Sequence, residues 1–412
     1  MFKEIAVNNY KSIVDLKLSL GRVNVLIGEN GAGKSNILEA IALAGAANAG
    51  KLDNEFLVAR GVRVTPPQLM RPAFRGAKLN DPITIKVTDE ASTVEYVIKN
   101  DNKPYARWNV MVKDSLRAIQ DDHIKSKVDE FIHSNEVEKE TIIEDMKELV
   151  KVITETLNSG DKSIKRNVRL KRPNVVANFI FGAFGSSRSE SHSSIANFVI
   201  FSPENTSLRV FEREGQIEPL GVNGEGLLRL LSVLSQKDPV AVEEIKSALK
   251  LIGWFKDFRV VQDSDQLQDR LEVRDIFLGR GRFYDDQRSV NEGFLFLMFY
   301  FALFSTDLTP TFFAVDNIDA SLNPKLCEAL MKQLVAMSAR HQKQVLLTTH
   351  NPAVLDGLNL DDEDQKLFIV DRSESGETRV RNYKKPLRSS GSPTRLSEAF
   401  LRGSLGGVPK GF

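Results

Sequence analysis

Cysteine is almost absent from this chain. Cys327 is alone among 412 residues, which excludes an internal disulfide and any all-cysteine metal centre and agrees with a reducing compartment. Long hydrophobic runs are missing too: no stretch of about 18 apolar residues exists, and the opening Met1-Phe2-Lys3-Glu4 has no secretory apolar core. A cytoplasmic protein without a membrane segment is expected. Charge of one sign is lacking, with 56 basic against 55 acidic side chains, so nucleic-acid binding would need a local patch. No His-x-Glu-x-x-His, Cys-x-x-Cys or His-Asn-His constellation occurs, and no internal repeat is visible. What is present is 42% hydrophobic residues, enough for a large core, in a chain long enough for two or three units at about 150 residues each.

Against that background one stretch stands out. Val25-Leu26-Ile27 runs into Gly28-Glu29-Asn30-Gly31-Ala32-Gly33-Lys34-Ser35, an apolar strand followed by Gly-x-x-x-x-Gly-Lys-Ser and then a helix from about Lys34 to Leu43. That is a phosphate-binding loop in the context it requires. The glycines let backbone N–H groups turn around a polyphosphate, Lys34 meets the β and γ phosphates, and Ser35 offers its hydroxyl to magnesium. The helix presents its positive end to the same anion. ATP and Mg2+ are the expected ligands, held by Asn30, Gly31, Ala32, Gly33, Lys34, Ser35 and Asn36.

The rest of the chain reads as a split domain with an insertion. Residues 1–110 form the first half, with alternating strands at Phe2 to Val7, Ile83 to Val87 and Thr93 to Ile98, the last two expected to flank the nucleotide-binding strand. From Met111 to Leu157 apolar residues recur at helical spacing, which predicts a short helical insertion; a basic run, Lys162 to Arg172, and a Gly/Ser-rich loop from Gly182 to Ser194 fill the segment 111–195. Residues 196–385 form the second half, opening on a buried strand, Ala196 to Ser202. The segment 386–412 is a Gly/Ser/Pro-rich tail in which Leu396 to Leu401 suits a short helix. Asp361-Asp362-Glu363-Asp364 reads as a solvated turn rather than a metal site.

Two further strands end in polar side chains. Thr311 to Val315 leads to Asp316, and Gln344 to Thr349 leads to His350. Alone, Asp316 suits a helix N-cap as well as a magnesium ligand. Three strands delivering polar groups at their carboxyl ends are what a parallel nucleotide-binding sheet requires.

These residues resemble the ABC-type ATPases of the RecF/SMC branch, and within it the overcoming-lysogenisation-defect-like ATPases of bacterial phage defence. The resemblance covers Ile5 to Asp15, Gly28 to Ala40, and roughly 196–230 and 285–357. It implies an α/β fold, an ABC-type P-loop ATPase core in which a mixed sheet is joined by N-terminal antiparallel strands. It makes Asp316 the Walker B aspartate, with Ser35 a metal ligand, Ala320 to Asn323 the D-loop and His350 the γ-phosphate sensor. Val290 to Phe294 falls at the signature loop, whose Asn291, Glu292 and Gly293 would cap ATP bound to a second subunit. A homo-oligomer with sandwiched ATP follows from the resemblance.

Two positions depart from that family. Asn317 replaces the glutamate that polarises the attacking water, and Asn291 replaces the signature serine, although an amide still donates a hydrogen bond. Asp319 is the substitute base to consider. ATP binding is therefore expected with slow hydrolysis or none. The insertion is too short for a DNA-clamping coiled coil, and the 62 residues after His350 leave little room for a Toprim nuclease, so the expected effector is a partner. The chain most resembles the ATPase subunit of the two-gene Septu defence system, which works with an HNH-type nuclease; the PARIS subunit is a close second. The alternative is a RecF-like DNA-binding ATPase of repair or recombination, supported by the basic residues 162–172 and Arg188. A transporter subunit fits the opening and the insertion less well.

Overall fold

The structure is a computed structural model that describes residues 1–74, 80–90, 92–103, 106–116, 194–211, 215–261, 270–279, 282–283, 287–384 and 395–405. The basic run 162–172, Arg188 and the helical insertion beyond residue 116 lie outside the described residues. The chain divides into two compact units, one of residues 1–88, 94–113 and 194–412 and one of residues 89–93 and 114–193. In the smaller unit the described part is a turn, where the Asp89 carboxylate accepts from the Ser92 N–H (2.6 Å), and the ends of two strands.

The larger unit is built on two sheets. Alternation of apolar and polar residues over Glu4–Tyr10 (β1) and Ile13–Ser19 (β2) gives an antiparallel hairpin. Its loop is only Lys11 and Ser12, and Lys11 takes φ 47° to close it. Ile83–Thr88 (β4), Ser92–Lys99 (β5) and Asn109–Leu116 (β6) extend this sheet in the order β2-β1-β4-β5-β6. The sequence-based expectation that the stretches at 83 and 93 flank the nucleotide strand is corrected by this order, since they pair beyond β1.

The neighbours of Val23–Ile27 (β3) are two other strands. The second sheet runs β13-β12-β3-β11-β10-β7, with Ile200–Phe201 (β7), Phe312–Val315 (β10), Gln344–Thr349 (β11), Gln365–Arg372 (β12) and Thr378–Tyr383 (β13). All pairs are parallel except β12 with β13. Every residue of β3, β10 and β11 is buried, because helices or the first sheet cover both faces. The strand expected over 196–202 shrinks to Ile200 and Phe201; residues 194–196 are helical, and only those two residues find a partner, at Ala314 and Val315.

On one face Leu26, Ala314 and Leu346 pack with Lys34–Asn48 (α1) and the first sheet; Asn54–Ala59 (α2) follows nearby in the chain. On the other, Val25, Ile27, Val315 and Leu347 pack with Leu227–Lys237 (α3), Pro239–Leu249 (α4), Glu292–Phe304 (α5) and Pro324–Arg340 (α6). The centre of this layer is α5, whose residues Phe294 to Phe304 are all buried; a helix apolar on every side is stable only when surrounded. Phe255–Val261 (β8) and Arg270–Asp275 (β9) form a separate hairpin. Leu396–Leu401 (α7) is the short helix expected in the tail.

Candidate nucleotide-binding site

Strand register explains why the polar residues converge. Thr349 lies beside Ile27, and Val315 beside Leu347. The next residues along each strand, Gly28, His350 and Asp316, therefore emerge at one edge of the sheet.

The phosphate loop occupies that edge. Gly33, at φ 105°, is the N-cap of α1, which has no side-chain cap and no acidic residue in its first turn. Its free N–H groups and positive dipole end suit an anion. Gly28 passes so close to β12 that an added Cβ would lie 2.0 Å from the Val370 carbonyl oxygen. Asn30 and Gly31 (φ 79°) form the exposed crest, Ala32 is buried, and Ser35 and Asn36 are half-buried. Lys34 is 5% exposed; its ammonium donates to the carbonyls of Gly28 (2.9 Å) and Glu29 (3.0 Å) and stands 3.3 Å from His350 Nδ1. Burial pushes the Lys34 pKa down to about 8 despite the attraction of Asp316, Asp319 and Glu29.

Asp316 faces this loop. Its carboxylate accepts hydrogen bonds from Ser35 Oγ (2.9 Å) and from Thr348 Oγ1, its neighbour on β11. The N-cap reading of Asp316 is set aside, since Asn323 caps the next helix by accepting from Leu326 N. Asn317 is exposed and left-handed, at φ 56°, and its N–H donates to Thr348 Oγ1 (2.9 Å). Asp319 is held by Thr349 Oγ1 (2.6 Å) and the His350 N–H (3.4 Å). Partial burial and the facing Lys34 cation lower the His350 pKa below 6.5, so the ring is neutral at pH 7.

Asn291, Glu292 and Gly293 stand apart from this group. Asn291 caps α5, accepting from Phe294 N (3.4 Å), and Glu292 accepts from Ser321 Oγ. Gly293 packs on the same loop, where an added Cβ would be 3.1 Å from the Ser321 carbonyl oxygen. Among the described residues none of the three hydrogen-bonds to the phosphate loop.

Several residues of the site escape a reading of spacing. Ser12, at the tip of the β1–β2 hairpin, accepts from Asn36 Nδ2 (2.6 Å) and shares a hydrogen bond with Thr378 Oγ1 (2.6 Å). Glu39, on α1, is 1% exposed and is neutralised by Lys11 and Arg63 (2.6 Å), with Tyr10 OH at 3.3 Å. Arg63 also reaches Asn36 Oδ1 (3.2 Å). A carboxylate inside an otherwise apolar helix was the available signal for Glu39. The turn at 361–364 is a turn: Asp362 accepts from Asp364 N and Gln365 Nε2, and Asp364 O accepts from Val23 N. No metal-holding cluster of His, Cys, Asp and Glu exists among the described residues.

The residues present fit a nucleoside triphosphate with a divalent ion. An uncapped helix end and Lys34 suit the phosphates, and the Ser35 hydroxyl beside the Asp316 carboxylate is a hard-oxygen pair suited to Mg2+. Fold and site define an ABC-type P-loop ATPase core. The family described as "AAA domain, putative AbiEii toxin, Type IV TA system" matches residues 23–356, and the chain belongs to it. An uncharacterized protein of Methanocaldococcus jannaschii is 30% identical over 119 residues, 27% of this chain and 53% of its own length, so the chain spans about half the length of the curated relative it matches. Among solved structures, an SMC head bound to the C-winged helix domain of ScpA superposes with a TM-score of 0.54 at 12% identity, covering 93% of this chain and 98% of that one. The SMC head domain from Thermotoga maritima gives 0.45 at 14%, with 93% and 99% covered. No helix among the described residues is long and apolar enough to cross a membrane.

Proposed function

We propose that the protein is a nucleotide-gated ATPase subunit of a bacterial anti-phage defence complex, and that two copies enclose ATP and control a partner effector, an HNH-type nuclease. The observation that carries the nucleotide part is the meeting of Lys34, Ser35, Asp316 and His350 at the carboxyl ends of three adjacent parallel strands. Lys34 and the N-terminus of α1 hold the phosphates. Ser35 and Asp316 hold magnesium, and Thr348 orients the Asp316 carboxylate. Neutral His350, beside Lys34, donates or accepts a hydrogen bond at the terminal phosphate without adding charge. A bound nucleotide would supply a γ-phosphate for Lys34 and His350 to hold, and the Asn291 to Gly293 loop of a second copy would cap it.

Hydrolysis is slow or absent on this reading. Asn317 takes no proton, and the Asp319 carboxylate is already engaged by Thr349 and the His350 N–H. The family's toxin–antitoxin description supports a defence role with paired components. ATP binding and turnover measured together on the purified protein test the nucleotide part: micromolar binding, lost in Lys34→Ala, with turnover below about one per minute is expected. Rapid turnover by the natural chain would reject the gate. Co-purification with the product of a neighbouring gene tests the partner, and a chain protective when expressed alone would reject it.

A further inference from the structure

A second cavity, of about 900 Å³, lies in the larger unit between the end of α1, the loop at residues 64–67 and the start of β6. It is a different site from the one described above. The pocket beside the phosphate loop is lined by Lys11, Ser12, Asn36 and Arg63, and Thr65 is the one residue the two share.

The lining has three chemical parts. The first is Trp108, half-buried, with the fully buried Arg71 guanidinium 5.1 Å from its ring centroid; Trp108 is itself part of the lining. The second is a pair of cations at the mouth. Arg107 is exposed and has no ion pair or hydrogen bond among the described residues, and Lys51 touches only the Phe56 ring through its ammonium (5.3 Å). Asp53 is the acidic residue of the lining, and its carboxylate is engaged as the N-cap of α2 (2.8 Å to Phe56 N). The third is Thr65, whose hydroxyl is sealed from solvent and has no hydrogen-bond partner among the described residues.

We propose that this cavity binds a free nucleotide, with the base stacked on Trp108 and a phosphate held by Arg107 and Lys51. An indole meets any base through its face, and a cation pair with one engaged carboxylate leaves net positive charge for a phosphate. The size is that of a small-ligand pocket. A strand of nucleic acid would need a basic track leading away, but to the Arg107 that both share the adjoining depression adds only Lys99 and Asp101, one of each sign.

The chain has two tryptophans, so Trp254→Phe leaves Trp108 as the reporter. Its fluorescence is titrated with each of the four nucleoside monophosphates and with a ten-residue oligothymidylate. Saturable quenching by at least one monophosphate is expected, kept in Lys34→Ala and weakened at least tenfold in Arg107→Ala. Calorimetry on the natural chain gives the same comparison if Trp254→Phe does not fold. No saturation by any monophosphate, whether or not the oligonucleotide binds, would overturn the proposal. So would quenching that disappears in Lys34→Ala, since the phosphate loop would then be the site, or quenching indifferent to Arg107→Ala.

Discussion

Asn317 combines two properties at one position: it removes the expected base, and it sits at φ 56°, where asparagine is tolerated far better than a longer side chain. Asn317→Glu should therefore lose about 1 kcal/mol in chemical denaturation while ATP turnover rises. If stability falls and turnover stays flat, the geometry does not place a carboxylate there against the water. Lys34 carries a stability cost of its own. Its pKa is about 8 in the fold against 10.5 in the free side chain, so the folded state binds fewer protons between those values, and stability rises with pH from 8 toward 10.5. At pH 7 the full penalty of burying the ammonium applies. Lys34→Met should melt higher than the natural protein at pH 7, by about 1 kcal/mol once its lost hydrogen bonds are counted, with the advantage fading above pH 8. Nucleotide binding should vanish in the same variant. A drop in melting temperature would show that the two carbonyl contacts outweigh the desolvation.

Helices and strands show where close approach replaces choice. Gly28 lies against β12, and a methyl group there would meet the Val370 carbonyl at 2.0 Å; backbone cannot swing away as a side chain can. Gly28→Ala should cost more than about 2 kcal/mol and weaken nucleotide binding, both read by thermal shift with and without ATP. In α5, Tyr300 places a fully buried hydroxyl with no hydrogen-bond partner among the described residues, and burial raises its pKa well above 10. Removing an unsatisfied polar atom without changing the ring is favourable, so Tyr300→Phe should hold or gain stability, up to about 1 kcal/mol. Elements with a clear local pattern were legible: α1, α7, β10 and β11 fall where the sequence put them, with α1 five residues longer than expected because its apolar residues continue to Ala47. β12 and β13 went unread: the apolar core of β12 is only Leu367 to Val370, a run too short to tell strand from helix, and β13, at the sheet edge, is mostly polar.

For the whole molecule the separation of Asn291 to Gly293 from the phosphate loop is the informative feature. These residues meet Ser321 of their own chain, and in the sandwich proposed above they would face a second copy. ATP with magnesium should convert the protein to a dimer in sedimentation velocity, and Asn291→Trp should block the dimer while leaving nucleotide binding to the monomer intact. A dimer unaffected by ATP, or by Asn291→Trp, would remove the sandwich from the proposal.

The sequence by itself determined the phosphate loop and the strand-end positions of Asp316 and His350, because these are local patterns written in contiguous residues; it also showed Asn317 where the resembled family has a glutamate. Tertiary structure decided which strands flank the loop, that Thr348 and Ser35 converge on Asp316, and that Lys11 and Arg63 neutralise a buried Glu39. It also decided that Trp108 borders a cavity with Lys51 and Arg107. Those relations join residues far apart in the chain, and only register and packing bring them within reach of one another.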